Sequence, residues 1–203
     1  MAEAHARSGR FLWVGNDLAL DFVNTTPVLD GRPTDLLDSF TDLVDWLGEA
    51  GVLGYGGRRK SLRRVDGATG RALLDEAREF RAALRSLFDA LVAGAGPPAG
   101  ALAAINQRLR RREVPEVRYE GGCFVRSAPR SVPDERSLLL PVAEAAADLL
   151  TTRDLSLLKR CENPACVLFF YDTTRNHARR WCSMAFCGNR HKVAAHYRRK
   201  HGK

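Results

Sequence analysis

Apolar residues recur every three or four positions in several stretches of the chain, which is the spacing of one face of an α-helix. The clearest stretch runs from about Thr69 to Ala93 and stops at the linker GAGPPAG. Shorter stretches with the same spacing predict four further helices: a short buried one within 11–26 capped by Asn16 or Asp17, and others over Ser39–Ala50, Ala101–Arg112 and Arg136–Thr151. The pattern therefore predicts a mainly α-helical body.

A different pattern, typical of strands, occurs in PEVRYEGGCFVRSAP. Two short runs of β-forming residues flank Gly121-Gly122, as in a β-hairpin. Cys123 lies in the second predicted strand and has no partner cysteine or histidine nearby in the sequence. We interpret it as a small buried hydrophobic residue.

The overall composition is that of a folded protein without a membrane span. Hydrophobic residues make up 45% of the 203 residues, which is enough for a genuine core. No apolar run reaches the length of about 18 residues that a membrane span needs, and the first residues lack the basic and apolar regions of a secretory signal. We therefore expect a cytoplasmic protein with no membrane partner, in which thiols stay reduced.

Positive charge is concentrated at the C-terminal end. The segment from Cys161 to Lys203 contains nine Lys or Arg and two acidic residues, whereas the first 160 residues contain 23 and 22. A near-neutral body thus carries a basic module, and a concentrated basic surface is typical of a protein that binds a polyanion. The alternative is a solvated surface that only aids solubility.

Four of the five cysteines form two pairs with the spacing C-x4-C, Cys161 with Cys166 and Cys182 with Cys187. Four thiolates at such spacing surround one metal ion tetrahedrally when each short loop brings two sulfurs to one side of it. A disulfide frame would need an oxidising compartment, and a redox centre usually has the spacing C-x-x-C. We therefore predict one structural zinc ion, with the other two kinds of centre as alternatives.

Histidines offer a further alternative for the ligand set. His177, His191, His196 and His201 lie in the same module, and each has ring nitrogens that can bind zinc. Because four cysteines already complete a tetrahedral shell, we expect these histidines to contact phosphate or solvent instead. A module this short buries little surface, so zinc is expected to supply much of its folding free energy.

The sequence GNRHKVAAHYRRKHGK after Cys187 predicts a helix with Val193 and Tyr197 on one side and basic residues over most of the rest. A helix fixed to a zinc site and rich in Arg and Lys is suited to phosphate groups or to a DNA groove. The candidate nucleic-acid contacts are Arg175, Arg179, Arg180, Asn189, Arg190, Lys192, Arg198, Arg199 and Lys200. For Asn189 and Arg190 the alternatives are a contact with a base and a hydrogen bond within the module.

Together these motifs resemble a known family. Cys161-x4-Cys166, the run RNHARRWCSM and Cys187-Gly188-Asn189-Arg190 are similar to the CGNR zinc finger. The N-terminal stretch LALDFVNT, followed by a mostly helical middle, resembles the ABATE domain that precedes this finger in bacterial proteins classed as stress-induced transcription regulators. The resemblance covers essentially the whole chain. It implies a mainly α-helical N-terminal domain and a zinc finger that binds DNA.

Two other features bear on ligand binding and catalysis. Asp17, Asp21 and Asn24 share one face of the first helix, so they are candidates for a ligand pocket, with capping and surface hydrogen bonding as the alternative. GYGGRRKS departs from the known phosphate-loop patterns at Arg59 and is interpreted as a turn before a basic helix. No catalytic motif stands out, so we predict no enzyme activity.

The sequence thus predicts a mainly α fold. A helical ABATE-like domain with a small β-hairpin spans 1–155, and a four-cysteine zinc finger ending in a basic helix spans 156–203. The predicted function is that of a zinc-containing, DNA-binding transcription regulator whose helical domain senses a small-molecule effector or mediates homodimerisation. The alternative is a zinc module that binds RNA or protein without direct contact to DNA.

Overall fold

The computed structural model describes residues 9–53, 58–111, 116–127 and 135–201. Helices dominate these residues, which confirms the mainly α fold, and none of them is long and apolar enough to cross a membrane. The helices are α1 Leu18–Val23, α2 Phe40–Glu49, α3 Arg58–Leu62, α4 Gly67–Val92, α5 Ala101–Leu109, α6 Leu140–Thr152 and α7 Asn189–His201. The antiparallel strand pairs are β1 Val28–Leu29 with β2 Arg32–Pro33, β3 Glu116–Glu120 with β4 Cys123–Ser127, and β5 Leu158–Arg160 with β6 Phe169–Tyr171.

Short-range signals explain where the predicted helices begin and end. Asp17 caps α1 because its carboxylate accepts a hydrogen bond from the amide of Ala19 at 2.9 Å. Ser39 and Asp42 form a reciprocal capping box at the start of α2. Gly51 follows the C-terminus of α2 with a φ of 75°, a conformation that glycine adopts without steric cost.

The start of α6 differs from the prediction. A 3₁₀ turn, Glu135–Ser137, occupies the predicted first turn, and α6 itself begins at Leu140 with Pro141 in its first turn. Proline lacks the amide hydrogen that every residue beyond the first turn of a helix must donate. A helix that began at Arg136 would lose a hydrogen bond at Pro141, so the helix starts later.

Helix α1 lies at the centre of the body. It packs against α4 and α6, and one continuous hydrophobic cluster joins these helices with α2 and α5. Phe22 of α1 lies 5.2 Å from Trp46 of α2 and 6.2 Å from Phe80 of α4, measured between ring centroids. The buried guanidinium of Arg81 is paired with Asp35 at the edge of this core, which compensates its charge.

The β3–β4 hairpin forms where it was predicted, but the interpretation of Cys123 is wrong. Cys123 is exposed. The hairpin is a two-stranded sheet of its own, and Tyr119 and Phe124, which pair across it at a ring-centroid distance of 5.0 Å, are exposed as well. Neighbouring residues in a strand point to opposite faces, so Phe124 and Cys123 indicate that both faces meet solvent here. A strand-like pattern predicted the hairpin but not a layer to cover it.

Strands β5 and β6 join the C-terminal region to the body. β6 packs against α1 and β5 packs against α4, so that Leu158 and Phe169 belong to the hydrophobic cluster of the body. Arg85 of α4 donates to the carbonyl of Val167 at 3.1 Å and to that of Val23 at 2.7 Å. The predicted division between 1–155 and 156–203 stays a prediction, and the two parts are in close contact along β5 and β6.

Candidate metal centre

The four paired cysteines meet at one point in the C-terminal region. Cys161 follows β5, Cys166 lies in the loop before β6, and Cys182 and Cys187 stand on either side of the start of a π-helical turn, Met184–Gly188. Their Sγ atoms all lie within 4.8 Å of one another. The Sγ of Cys182 is 3.8 Å from that of Cys166 and 3.6 Å from that of Cys187.

These distances fit one tetrahedral zinc ion. Zn–S bonds of about 2.3 Å give a tetrahedron with edges of about 3.8 Å between sulfurs. A disulfide has an S–S distance of about 2.0 Å, and all four cysteines are free thiols. Cys161, Cys182 and Cys187 are buried, which suits a closed structural site. The cluster fits one structural zinc ion, as predicted.

Hydrogen bonds to sulfur show that the cluster is built for thiolates. The side-chain amide of Asn163 donates to the Sγ of Cys187 at 3.3 Å, and the backbone amide of Cys182 donates to the Sγ of Cys161 at 3.4 Å. Such donors stabilise negative sulfur and orient the ligands around a metal.

The thiols also influence one another. Hydrogen bonds from the other three thiols, that of Cys161 foremost, lower the pKa of Cys187, whereas the same crowding raises the pKa of Cys182. The pKa of Cys161 is lowered to about 7 by its contacts with Cys166 and Cys182. Without a metal, the cluster therefore favours the thiolate form of some cysteines and the thiol form of others. A divalent cation stabilises the thiolate form of all four by binding them together.

His177 and His191 do not take part in the cluster, which consists of cysteines alone among the described residues. The ring of His191 contacts Trp181 in a tilted arrangement at a centroid distance of 4.7 Å, and His177 Nδ1 lies 3.4 Å from the carbonyl oxygen of Asp172. The side chains of His196 and His201 lie outside the described residues.

Comparison with known proteins agrees with this centre. A family model described as "Putative stress-induced transcription regulator", ABATE, matches residues 16–153. The chain belongs to the ABATE family. A second family model, the CGNR zinc finger, matches residues 158–200. No curated protein matches the chain.

The two family descriptions and the cysteine cluster together indicate a zinc-binding regulator. One description names a regulator and the other a zinc finger, so neither is that of an enzyme family. The ABATE match covers the helical body, and the CGNR match covers the cysteine cluster and most of α7. We refer below to residues 158–200 as the finger.

The predicted ligand-pocket residues of the ABATE segment are buried and bonded within the protein. Asp17 caps α1 and lies 3.5 Å from a guanidinium nitrogen of Arg153. Asp21 accepts hydrogen bonds from the amides of Val14 at 3.0 Å and Gly15 at 2.7 Å. Burial raises the pKa of Asp21 to about 7, against the opposing effect of these two bonds. A ligand pocket at this face stays a prediction.

Asn24 holds the finger directly. Its side-chain amide donates to the carbonyl of Phe169 at 2.8 Å, and its side-chain oxygen accepts from the amide of Phe169 at 2.9 Å. Asn24 is almost fully buried, so both bonds lie in the interior. The last polar residue of the LDFVN run thus binds the backbone of β6.

Arg179, a predicted nucleic-acid contact, also joins the finger to the body. We refer to the contacts of Asn24, Asp21 and Arg179 between body and finger as the junction. Its guanidinium donates to the carbonyls of Val14 at 2.9 Å and Trp181 at 3.0 Å and to that of Cys182, and it stacks 4.3 Å above the ring of Phe170. Only part of the side chain is exposed. Arg179 therefore ties the N-terminal segment to the loop that carries the third cysteine.

The remaining predicted contacts are mostly at the surface. Arg180 is exposed and forms an ion pair with Glu162 at 2.6 Å. The other exposed candidates are Arg175, Asn189, Arg190, Lys192 and Lys200. The backbone of α7 carries Arg198 and Arg199, whose side chains lie outside the described residues.

Sequence reasoning missed a second polar contact in the finger. Asp172 is fully buried, and its carboxylate accepts from Lys159 Nζ at 2.7 Å and from the amide of Arg179 at 2.9 Å. Burial opposes its charge, but hydrogen bonds from Lys159 and Thr174 hold the pKa of Asp172 well below its usual range. The available signal was a polar residue directly after an apolar run, FFYD, as for Asn24 in LDFVN.

Proposed function

We propose that this ABATE protein is a DNA-binding transcription regulator whose finger contacts DNA through the basic surface around α7. One observation carries the proposal: from Thr173 to Lys203 the chain contains nine Lys or Arg and no acidic residue. No ion pair of Arg175, Arg190, Lys192 or Lys200 is present within the described residues, so these exposed cations are available to an anion. A surface of cations that have no ion pair among the described residues, next to a zinc site, is suited to phosphate groups.

The dimensions of α7 agree with a DNA groove. Its 13 residues span about 20 Å at 1.5 Å per residue, and an α-helix fits the major groove, which is about 12 Å wide. α7 packs against the π-helical turn that contains Cys187, so the zinc cluster fixes its N-terminal end. Val193 and Tyr197 on α7 are exposed rather than packed on the body.

Asn189 and Arg190 are the candidates for base contacts. Both side chains are exposed at the start of α7, and neither forms a hydrogen bond with another described side chain or backbone group. This favours an external partner over a role inside the finger. Arginine reads guanine and asparagine reads adenine by paired hydrogen bonds in the major groove. The remaining cations would position the finger on the backbone without reading sequence.

In this proposal the helical body, predicted as 1–155, senses a small-molecule effector or mediates homodimerisation. Its contact with the finger along β5 and β6 gives a route by which a change in the body reaches the DNA-binding surface. The finger, predicted as 156–203, would then act as the DNA-contacting unit.

The experiment is a salt titration of DNA binding. Zinc-loaded full-length protein is titrated against a fluorescent duplex by anisotropy at several salt concentrations. With about five phosphate contacts, log K should fall against log salt with a slope of about −4 to −5. Lys192→Ala should weaken binding to all sequences and reduce the slope by about 1. A salt-independent affinity would contradict the proposal.

Controls separate DNA binding from nonspecific attraction. Arg71→Ala removes an exposed cation from α4, far along the chain from the finger, and should leave the slope unchanged. A structured RNA of equal length tests the alternative function. Tighter binding to RNA than to duplex DNA at the same salt concentration would favour an RNA-binding module.

A further inference from the structure

A cleft of about 610 Å³ lies between the N-terminal segment of the body and the finger. One wall of the cleft is formed by residues within the range 13–16, and the other wall is formed by residues within the range 173–189. Sites for small molecules usually have volumes of about 300–1,000 Å³ and occur where two structural units meet. The cleft is distinct from the predicted ligand pocket, because Asp17, Asp21 and Asn24 do not line it.

The charge of the cleft indicates which ligands it accepts. Arg179 and Arg180 are the basic residues of its lining, which contains no Asp or Glu but includes the zinc ligand Cys182. Arg175 lies between two lining residues in sequence and is exposed at the rim. Arg180 is paired with Glu162 outside the lining, and the thiol of Cys182 and the buried carboxylate of Asp172 interact electrostatically with Arg179, whereas Arg175 has no ion pair within the described residues. The exposed Arg175 at the rim therefore favours an anion over a cation.

Flat apolar surfaces in the lining come from two indole rings. Trp13 stacks on Trp46 of the core at a centroid distance of 5.6 Å and an interplanar angle of 21°. Trp181 contacts the ring of His191 at a centroid distance of 4.7 Å and the guanidinium of Arg180 at 5.1 Å. These neighbours hold both indoles in place, and the parts of the two rings that line the cleft are suited to contact with a planar aromatic ligand.

Neutral polar groups complete the site. Asn176, Ser183 and Asn189 line the cleft, and their side chains make no hydrogen bond with the described parts of the chain. Amide and hydroxyl groups both donate and accept, so they match the polar edge of a ligand. Met184, half-exposed in the same lining, adapts its shape readily to different ring systems.

We propose that this cleft binds a small planar aromatic molecule that carries a carboxylate or a phosphate group. The inference rests on the sensing role proposed above and gives it a site and a class of ligand. Arg179 lines the cleft and also bonds Val14 and Cys182 across the junction. A ligand there contacts the body, the finger and the residue that joins them, so its binding is coupled to the position of the finger.

The test is an NMR titration of the zinc-loaded, ¹⁵N-labelled full chain in the absence of DNA. The probes are benzoate, benzamide and benzylamine, which share one ring and differ in charge, and AMP, which carries a phosphate. The three indole N–H signals report on the site: Trp13 and Trp181 line the cleft, and Trp46 is the buried internal control.

We expect saturable shifts of the Trp13 and Trp181 signals with benzoate, AMP or both, at Kd values below about 10 mM, and none with benzylamine. Binding by benzoate alone assigns the site to aromatic carboxylates, and binding by AMP alone assigns it to nucleotides. The absence of saturable shifts with both anions, or binding of benzylamine as tight as that of benzoate, would overturn the proposal.

Two variants test whether the shifts arise in the cleft. Ala185→Phe places a ring in the lining and should weaken binding of the anionic probe at least about tenfold, whereas Ala72→Phe makes the same change on the exposed side of α4 and should not. Asn176→Ala, at an exposed position, should weaken binding without affecting the fold. Equal affinity in all three variants and the wild type would also overturn the proposal. No DNA is present, so the result is independent of whether the finger binds DNA.

Discussion

The body and the metal end of the finger each have a closed core, but different interactions hold the two cores together. In the body, aliphatic and aromatic side chains from α1, α2, α4, α5 and α6 form one continuous cluster. At the metal end, Val14, Leu168 and Phe170 surround three buried cysteines. Burial of apolar surface supplies the first core with its stability, whereas we expect the second, which is too small for this, to depend on its ion.

Strand β6 contributes to both cores. Phe169 of β6 is buried in the cluster of the body, and Phe170, the next residue, is buried in the cluster around the cysteines. Consecutive side chains of a strand point to opposite sides, so β6 is inserted between the two. We therefore expect that loss of either core destabilises the other through β6, the other segments that reach both cores and the polar contacts that fix them.

The largest effect is expected from removing a zinc ligand. Cys161→Ser should reduce the zinc content from about one ion per chain to near zero and remove most of the binding free energy of the ion, about 10 kcal/mol or more for structural zinc. The finger beyond β6 should lose protection in hydrogen exchange, while the amides of α4 stay protected. Metal analysis and hydrogen exchange measure the two outcomes.

Cys123→Ser is the matched control for this variant. Cys123 is exposed on the hairpin and lies outside the cluster, so its substitution should leave both the zinc content and the exchange pattern unchanged. A finger that stays protected after loss of zinc would show that the metal end is stabilised by burial, as the body is.

The next largest effect concerns the core of the body. Phe80 is almost fully buried in the middle of α4, between Phe22 and the guanidinium of Arg108. Phe80→Ala should lower the free energy of unfolding by about 3–5 kcal/mol through lost burial and the cavity left behind. The zinc content should remain about one ion per chain. Urea unfolding followed by circular dichroism measures the first quantity, and metal analysis the second.

Leu102→Ala on α5 is the control for this change, because Leu102 is 44% exposed and its loss should change the stability by less than about 1 kcal/mol. Release of zinc from Phe80→Ala under conditions where it is still folded would mean that the two cores form one cooperative unit.

Features that depend on short spacings could be predicted from the sequence, whereas contacts between distant positions could not. The periodic stretch over Thr69–Ala93 corresponds to α4, and the cysteine pairs correspond to the metal cluster, because both features are encoded in short spacings. The bond between Asn24 and Phe169 joins positions 145 apart, and no local pattern pairs them. Arg179 looked like a surface cation for the same reason, since its partner Val14 lies 165 positions away.

An intermediate effect is expected at this long-range contact. Asn24→Ala removes both partners of the Phe169 backbone in a buried setting, and a buried group left without a partner costs about 1–3 kcal/mol. We expect a loss of about 2–3 kcal/mol in the free energy of unfolding and faster exchange of the Phe169 amide. Asn176→Ala, at an exposed asparagine of the finger, is the control. Unchanged exchange at Phe169 would mean that β6 is held by packing alone.

The smallest effect is a dependence on pH at the other end of the junction. Burial raises the pKa of Asp21 to about 7 from an ordinary value of 3.8, so the folded protein retains a proton there that the unfolded chain has released. The stability contributed by this proton is complete below pH 4 and is lost as the pH rises through 7. Between pH 6 and pH 8 the loss is about 1.4 kcal/mol.

Asp21→Asn should abolish this loss, because a neutral amide oxygen still accepts from Val14 and Gly15 without a charge to bury. Relative to the wild type, the variant should therefore gain about 1.4 kcal/mol in the free energy of unfolding from pH 6 to pH 8. Urea unfolding of the zinc-saturated proteins measures the difference, and the pH dependence of zinc binding, common to both, cancels.

The control is Asp75→Asn, which changes an exposed carboxylate on α4 and should show the same pH dependence as the wild type. If the difference in free energy of unfolding between Asp21→Asn and the wild type were the same at pH 6 and pH 8, Asp21 would be ionised throughout this range. Arg179 and the two amides would then stabilise its charge, and the junction would be an electrostatic contact instead of a neutral one.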